Sequence, residues 1–452
     1  MSMDAAAILA EHVAGLRFED LSDAAITRAK VFILDSIGVG IAGATAEGVQ
    51  PLIDAASCWG DGGKASLWGH ALKLPAPQAV MVNAYQLHSQ EYDCLHEGAV
   101  VHAMATLLPV LLADAELRGG INGRALITAV AAGADVAARL GLASTQPLRF
   151  FRPATAGGFG AVAGLARLRG YSAAEVLSCF GIQYGQTSGT MQAHTEGSTV
   201  LPLQVGVNAR AAWQSADLVA AGFSGPREVF EGRYGYLRLM EGEWDWGELL
   251  QSLGRRWMIA EFSHKPWPAG RATHGGIEGV LALQVAHGFT AEQVDSVLVT
   301  GPSLINRLVN RPDLPAPTAN YARLCMPFIA AKAILHGSVD IAHCRGEALA
   351  DAATHALAAR IAMAQDDNPD ANALAPQRVE VRLRDGRVLR HDLPAMLASP
   401  ARPLAQAQHL AKFERCCSFA ARPLAAGEAQ RLVAAVDALE LCADIRALIP
   451  RH

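Results

Sequence analysis

Residues 85–116 read YQLHSQEYDCLHEGAVVHAMATLLPVLLADAE and place Asp93, Cys94, His96, Glu97 and His102 within ten positions. No other stretch is as dense in groups able to move protons. Histidine and carboxylate side chains side by side are the usual means of general acid and base catalysis near neutral pH. Gly98 and the small residues after it let the backbone turn or approach a ligand closely. The apolar run 103–113 then reads as a buried helix. A polar loop feeding a buried helix N-terminus is suited to anions, because its free N–H groups and macrodipole point outward. The plainer alternative is a loop whose histidines only cap the helix.

These groups need a large scaffold. The chain has 452 residues, 51% of them hydrophobic and 18% charged, enough for two or three compact units and an extensive subunit interface. Apolar runs such as 107–113 and 126–134 are broken by charged residues or glycine before a membrane-spanning length is reached. The first residues, MSMDAAAILAEHV, lack the basic start of a secretion signal, so a cytoplasmic protein is expected. The eight cysteines are scattered without a CxxC pair or zinc-like Cys/His spacing. They are expected to be reduced core residues. No dependable ligand spacing accompanies His96 and Glu97, and no metal is expected. A net charge of −5 without a basic stripe gives no attraction to nucleic acid.

Helical periodicity opens the chain in two helices over 5–46, with a cap at Leu21-Ser22-Asp23, and continues over 50–58 and 76–90. Residues 65–68 suggest a short extended piece. A long helix follows over 124–140, where Ala129, Gly133 and Ala137 allow close packing of another helix. Arg149 to Gly158 reads as a loop ahead of a helix over 159–169, and its glycines beside Arg152 form a second candidate anion site. Further helices are expected over 173–183 and 204–221, separated by a polar loop at 192–198. After residue 265 the pattern changes. Alternation over 294–300, a helix over 321–336 and a hairpin of 378–383 with 388–393 around Asp385-Gly386 indicate an α/β unit. Segment 366–376 is a surface loop, and helix returns over 400–412 and 425–448.

The chain resembles the MmgE/PrpD family, which includes 2-methylcitrate dehydratases. The resemblance rests on the Asp/His loop before a buried helix, an aromatic-Arg-Pro-Ala-Thr-Ala-Gly-Gly segment, Gly222-Phe223-Ser224-Gly225-Pro226 with Glu231-Gly232, and Lys265-Pro266-Trp267-Pro268 followed by Arg271-Ala272-Thr273-His274. It covers nearly the whole chain. It implies a mainly α fold: a large all-helical domain from 1–264 with 401–452, and a smaller α/β lid domain from 265–400. It also implies a homodimer that needs no cofactor and acts on small di- or tricarboxylic acids, with the site between the domains.

By the same resemblance Asp93, His102, Lys265 and His274 are the catalytic positions. Arg152, Thr155, Arg271, Gln192, His194 and Tyr321 are expected to bind substrate, with Arg323 and Cys325 as further lid candidates. Either His102 or His274 moves the proton, Asp93 orients its partner, and the cations hold carboxylates. The group His88, Gln90 and Glu91 is expected to support the site without touching substrate. Three departures stand out: Cys94 replaces a second Asp, Arg152 replaces a His, and Leu201-Pro202-Leu203 lacks a Lys before Pro-Leu. Arginine is no base at neutral pH but binds carboxylates well.

The leading function is a cofactor-independent, dehydratase-like lyase. An epimerase or isomerase of a substituted succinate is the alternative within enzymes, and a non-catalytic carboxylate-binding protein is the alternative outside them.

Overall fold

The computed structural model describes residues 4–452 and has two hydrophobic cores. The larger core is built on the helix Ala103–Arg118, whose residues 103–115 are all buried. Such a helix is apolar on every side and must be wrapped by others. The helices Ala76–His88, Gly123–Ala143, Arg152–Arg169 and Val200–Ala220 supply the wrapping. The Gly123–Ala143 helix is long and apolar enough to cross a membrane, but 89% of its most apolar window lies buried in this core.

The helices Gly123–Ala143 and Arg152–Arg169 cross closely, and small residues make it possible. A Cβ on Gly160 would lie 2.6 Å from the Gly133 carbonyl oxygen and 2.7 Å from the Ala137 Cβ, and one on Gly164 would lie 2.9 Å from the Ala129 oxygen. The stripe Ala129, Gly133, Ala137 therefore does what its spacing suggests. The expected loop at 149–158 is instead helical from Arg152 onward. Gly157 and Gly158 sit inside the helix, facing Thr106 and Gln183. They serve packing, so no helix-terminus anion site forms there.

Other expectations shift at their edges. The polar segment expected as a loop holds the helix Met191–Glu196, capped by Thr190. The helix expected over 321–336 is two helices, Ala319–Arg323 and Met326–His336, with Cys325 extended between them. A two-stranded pairing of Ala65–Ser66 with Lys73–Leu74 lies within the otherwise helical unit.

The smaller core lies under a four-stranded sheet ordered Ile361–Gln365, Val294–Gly301, Gln377–Leu383, Val388–Leu393. The first pair is parallel and the others are antiparallel. Alternate residues Val379, Val381 and Leu383 are buried, as a half-covered sheet requires. The helices His274–His287 and Met326–His336 pack against the sheet. The C-terminal helices Gln406–Cys417 and Glu428–Asp437 return to the larger core through Phe413, Cys416, Leu432 and Val436.

A side chain at position 160 must separate two backbones. Gly160→Val is expected to destabilise the protein by about 3 kcal/mol, at the upper end for overpacking, seen as a lower urea midpoint. Gly170→Val, where a Cβ meets nothing but φ is +74°, is expected to cost about 1–2 kcal/mol from backbone strain alone.

Candidate active site

The Ala76–His88 helix ends in His88, and Glu91, at φ +49°, turns the chain back on itself. A left-handed glutamate is uncommon, and its side chain is thereby aimed inward. Leu95 and Ser263 then exchange backbone hydrogen bonds of 3.1 and 2.8 Å. This tie sets the Asp93 loop beside Lys265, two residues beyond Ser263. His96 and Val101 pair across the next turn, which forces Val100 to φ +52°. For a β-branched residue this is strained, and Val100 lines the cavity described below.

Asp93 is the hub. Its Oδ2 accepts from Nδ1 of His88 and from Nδ1 of His102, each at 2.9 Å. Its other oxygen lies 3.7 Å from Nζ of Lys265, which donates to Glu91 at 2.8 Å. His102 stands at the start of the Ala103–Arg118 helix, yet its side chain makes no capping bond. It is spent on Asp93, so the histidine is not a cap.

A carboxylate only accepts, so both histidines carry their proton on Nδ1, and Nε2 of each is left for other work. The two histidines differ in charge. Burial pushes the His102 pKa down, and the Lys265 charge outweighs enough of the Asp93 attraction to keep it below the usual range. Burial opposes the charge on His88 as well, but Asp93 and Glu91 overcome it and raise its pKa. Asp93 is driven well below the ordinary carboxylate range, its burial offset by the two histidines and Lys265. Glu91, buried but facing Lys265, falls to about 2. The cluster thus biases His102 toward the neutral form and His88 toward the charged form on one carboxylate. Each is thereby shifted toward the protonation state that its role as base or acid needs.

Both histidines line a cavity between the two cores. Glu91, Arg152, His194 and Arg271 supply its other polar groups. Arg152 is fully buried; it donates through Nε to Glu241 at 2.9 Å and through Nη2 to Ser144 at 2.7 Å, while Nη1 has no partner. It is thus a neutralised cation with one free donor rather than a free one. Arg271 is held by Glu97 at 2.9 Å from Nε, and its Nη1 donates to Nδ1 of His274 at 3.3 Å. His194 accepts from Arg311 at 3.3 Å. Its burial and the Arg311 charge lower its pKa to about 3.

Several expected contacts lie elsewhere. Nε2 of His274 donates to the Ala269 carbonyl at 3.1 Å, so with Nδ1 taken by Arg271 neither nitrogen is free to act as a base. Its role here is to set Arg271. Lys265 stands behind Glu91 and Asp93 and does not line the cavity. Thr155 faces away, bonding Tyr236 at 3.0 Å, and Tyr236 donates to Glu241. Gln192 is exposed and bonds Glu196. Tyr321 donates to the Pro312 carbonyl and stacks under Arg311. Arg323 grips the Ser89 carbonyl and Gln90, and Cys325 reaches the Arg311 carbonyl. Cys94 is a buried thiol whose pKa burial pushes far up. His88, Glu91 and Glu241 were not expected at the wall or as partners. The first two had a signal in the spacing His88, Glu91, Asp93, whereas Glu241 had none.

The family profile of the MmgE/PrpD N-terminal domain matches residues 7–249, and that of the MmgE/PrpD C-terminal domain matches residues 267–441. The chain belongs to the MmgE/PrpD family. It is 24% identical to cis-aconitate decarboxylase of Mus musculus over 96% of this chain and 90% of that protein. It is 25% identical to the Homo sapiens cis-aconitate decarboxylase over 72% of this chain and 69% of the relative. A cis-aconitate decarboxylase-like protein, oryM, of Aspergillus oryzae is 24% identical over 98% and 95%. Members of the MmgE/PrpD family with these names are lyases.

Two groups have the makings of a cation site: His88 with Asp93 and His102, and Asp35 with His264 and His409. In both, an ammonium already faces the carboxylate. Lys265 lies 3.7 Å from Asp93, and Lys412 lies 2.7 Å from Asp35. The MmgE/PrpD chain therefore supplies the positive charge itself.

The neutral state of His194 has a consequence for stability. Its folded pKa of about 3 lies below the unfolded value of about 6.5. The unfolded chain therefore takes up the proton first as pH falls, and stability present above about 6.5 is lost between there and about 3. The urea midpoint is expected to drop steadily over that window. Nitrogen-15 NMR of labelled histidines is expected to show His194 neutral at pH 5 and His88 titrating above the usual histidine range.

Proposed function

We propose that this protein is a cofactor-independent lyase that takes a proton from a carbon next to a carboxylate, with Nε2 of His102 as the base. The observation that carries this reading is the sharing of Asp93 Oδ2 by two histidines at the cavity wall, whose surroundings shift their pKa values in opposite directions. Asp93 holds His102 in the tautomer with Nε2 free and stabilises the imidazolium it becomes. His88, charged, donates to the oxygen on which negative charge develops or returns the proton to carbon. Arg152 Nη1 and Arg271 hold the carboxylate, and the dry wall strengthens each of these interactions. Lys265, His274, Glu97 and Glu241 position these groups. Thr155, Gln192 and Tyr321 support the surrounding walls.

The relatives' names point to cis-aconitate, whose decarboxylation also needs a proton delivered to carbon after the carboxylate leaves. Dehydration needs the same base and an acid for the leaving hydroxyl. The pair of histidines equally suits removal and return of one proton without a leaving group, the isomerase reading. The products formed in D2O separate these reactions.

His102→Gln is expected to lower kcat by about 10²–10⁴, the usual worth of general base catalysis, with KM changed little. Unchanged turnover would remove His102 from the mechanism. The kcat/KM profile of the wild type is expected to be bell-shaped. Its acid limb lies below the usual histidine range, because His102 must lose a proton. Its alkaline limb lies above that range, because His88 must keep one. We read the enzyme as a homodimer, for which a sedimentation mass near twice 47.6 kDa is expected.

A further inference from the structure

We propose that the substrate carries no more than two carboxylates and bears an alkyl or aryl arm where a tricarboxylate carries its third. This deepens the lyase reading and rests on it. The first support is the charge already present at the cavity. Lys265 faces Glu91 and Asp93, Arg152 faces Glu241, Arg271 faces Glu97, and His88 faces Asp93. Each of the three fixed cations at or directly behind the wall, Lys265, Arg152 and Arg271, thus has a carboxylate of its own. Arg311, behind His194, has no acid partner and bonds the His194 and Leu308 carbonyls. Arg323 also lacks one, but its donors are spent on Ser89, Gln90 and Cys344 in the junction between the cores. Neither Arg311 nor Arg323 lines the cavity, and the two guanidiniums that do, Arg152 and Arg271, both arrive with carboxylates of their own. A buried charge without a partner is strongly disfavoured, so each additional carboxylate on the ligand is selected against.

The second support is the rest of the wall. Leu148, Phe151, Met191, Leu308, Leu324 and Leu374 all line the same space. None can hydrogen-bond a carboxylate, and all favour hydrocarbon. The third support is the short supply of donors. The donors of the lining side chains without partners are Nη1 of Arg152, Nε2 of His88, Nη2 of Arg271, which lies 2.7 Å from Glu97 but out of hydrogen-bond geometry, and Nε2 of His194, whose Nδ1 accepts from Arg311. They are enough to hold one carboxylate and to poise a second group for reaction. Leu201, buried in the core, adds no donor at the position where the family resemblance implies a Lys.

Turnover and solvent deuterium incorporation, followed by proton NMR in D2O, compare cis-aconitate with maleates carrying methyl, propyl or benzyl groups, and citrate with malates alkylated at C2. The alkylated acids are expected to exceed their tricarboxylate counterparts at least tenfold in kcat/KM. Each methylene added is expected to raise kcat/KM about fourfold until the space is full. Leu374→Lys, which places a cation on the apolar side, is expected to reverse the preference. A wild type that turns over the tricarboxylates tenfold better than the alkylated acids overturns the substrate inference and leaves the lyase reading standing. Deuterium exchange or conversion with none of the acids overturns both.

Discussion

The rest of the structure depends on keeping the Asp93 carboxylate charged inside a core where a bare charge is not tolerated. Nothing in its own segment achieves this. Two imidazole N–H groups reach it from the helix before and the helix after, and an ammonium reaches toward it from residue 265. Removing one partner of such a buried cluster typically costs about 3–5 kcal/mol, because the remaining charges stay behind. The Leu95–Ser263 tie, the left-handed Glu91 and the strained Val100 all hold these groups in place. They also build the wall of the cavity, so the elements that keep Asp93 ionised are the ones that position the candidate base.

That arrangement makes the two histidines unequal. A lone buried imidazole is neutral, and one on a carboxylate tends to be charged. Here two compete for one oxygen while Lys265 crowds the other, so one proton too few is available for both to be charged. His88, with Glu91 as an additional negative neighbour, is shifted toward the charged form and His102 toward the neutral one. Acid and base are thus separated by environment rather than by residue type.

Much of this was legible in the sequence. Asp93, His102 and Arg271 stand out because ionisable groups bordering long apolar runs must be partnered or functional. The change from period 3.6 to period 2 after residue 265 marks the α/β unit, and the hairpin turn at Asp385-Gly386 fits Gly386 at φ +91°. The errors share one cause: tertiary packing overrode a local preference. Gly157 and Gly158 read as a loop, but the neighbouring helices need a side chain missing there. His88 and Glu91, three apart at a helix end, read as support because nothing local shows that a turn of opposite hand brings Glu91 to Lys265. The break before Met326 did have a signal, since Pro327 lacks an N–H and belongs in the first turn of a helix. Glu241 lies 89 positions from Arg152, and only folding joins them.

The Arg152–Glu241 pair also explains how the site works without a histidine at position 152. A guanidinium added to a cavity wall would raise its net charge and favour a more highly charged ligand. This one arrives with its own carboxylate, and Tyr236 and Thr155 complete the hydrogen bonding behind it. What the cavity gains is one directed N–H at almost no change in charge. In the proposed mechanism the base must then come from elsewhere, and among the lining histidines His194 is turned toward Arg311 and His88 is shifted toward its charged form. His102 is left as the imidazole shifted toward neutrality with Nε2 free, so in the proposed mechanism an arginine at 152 leaves the proton chemistry to the Asp93 cluster.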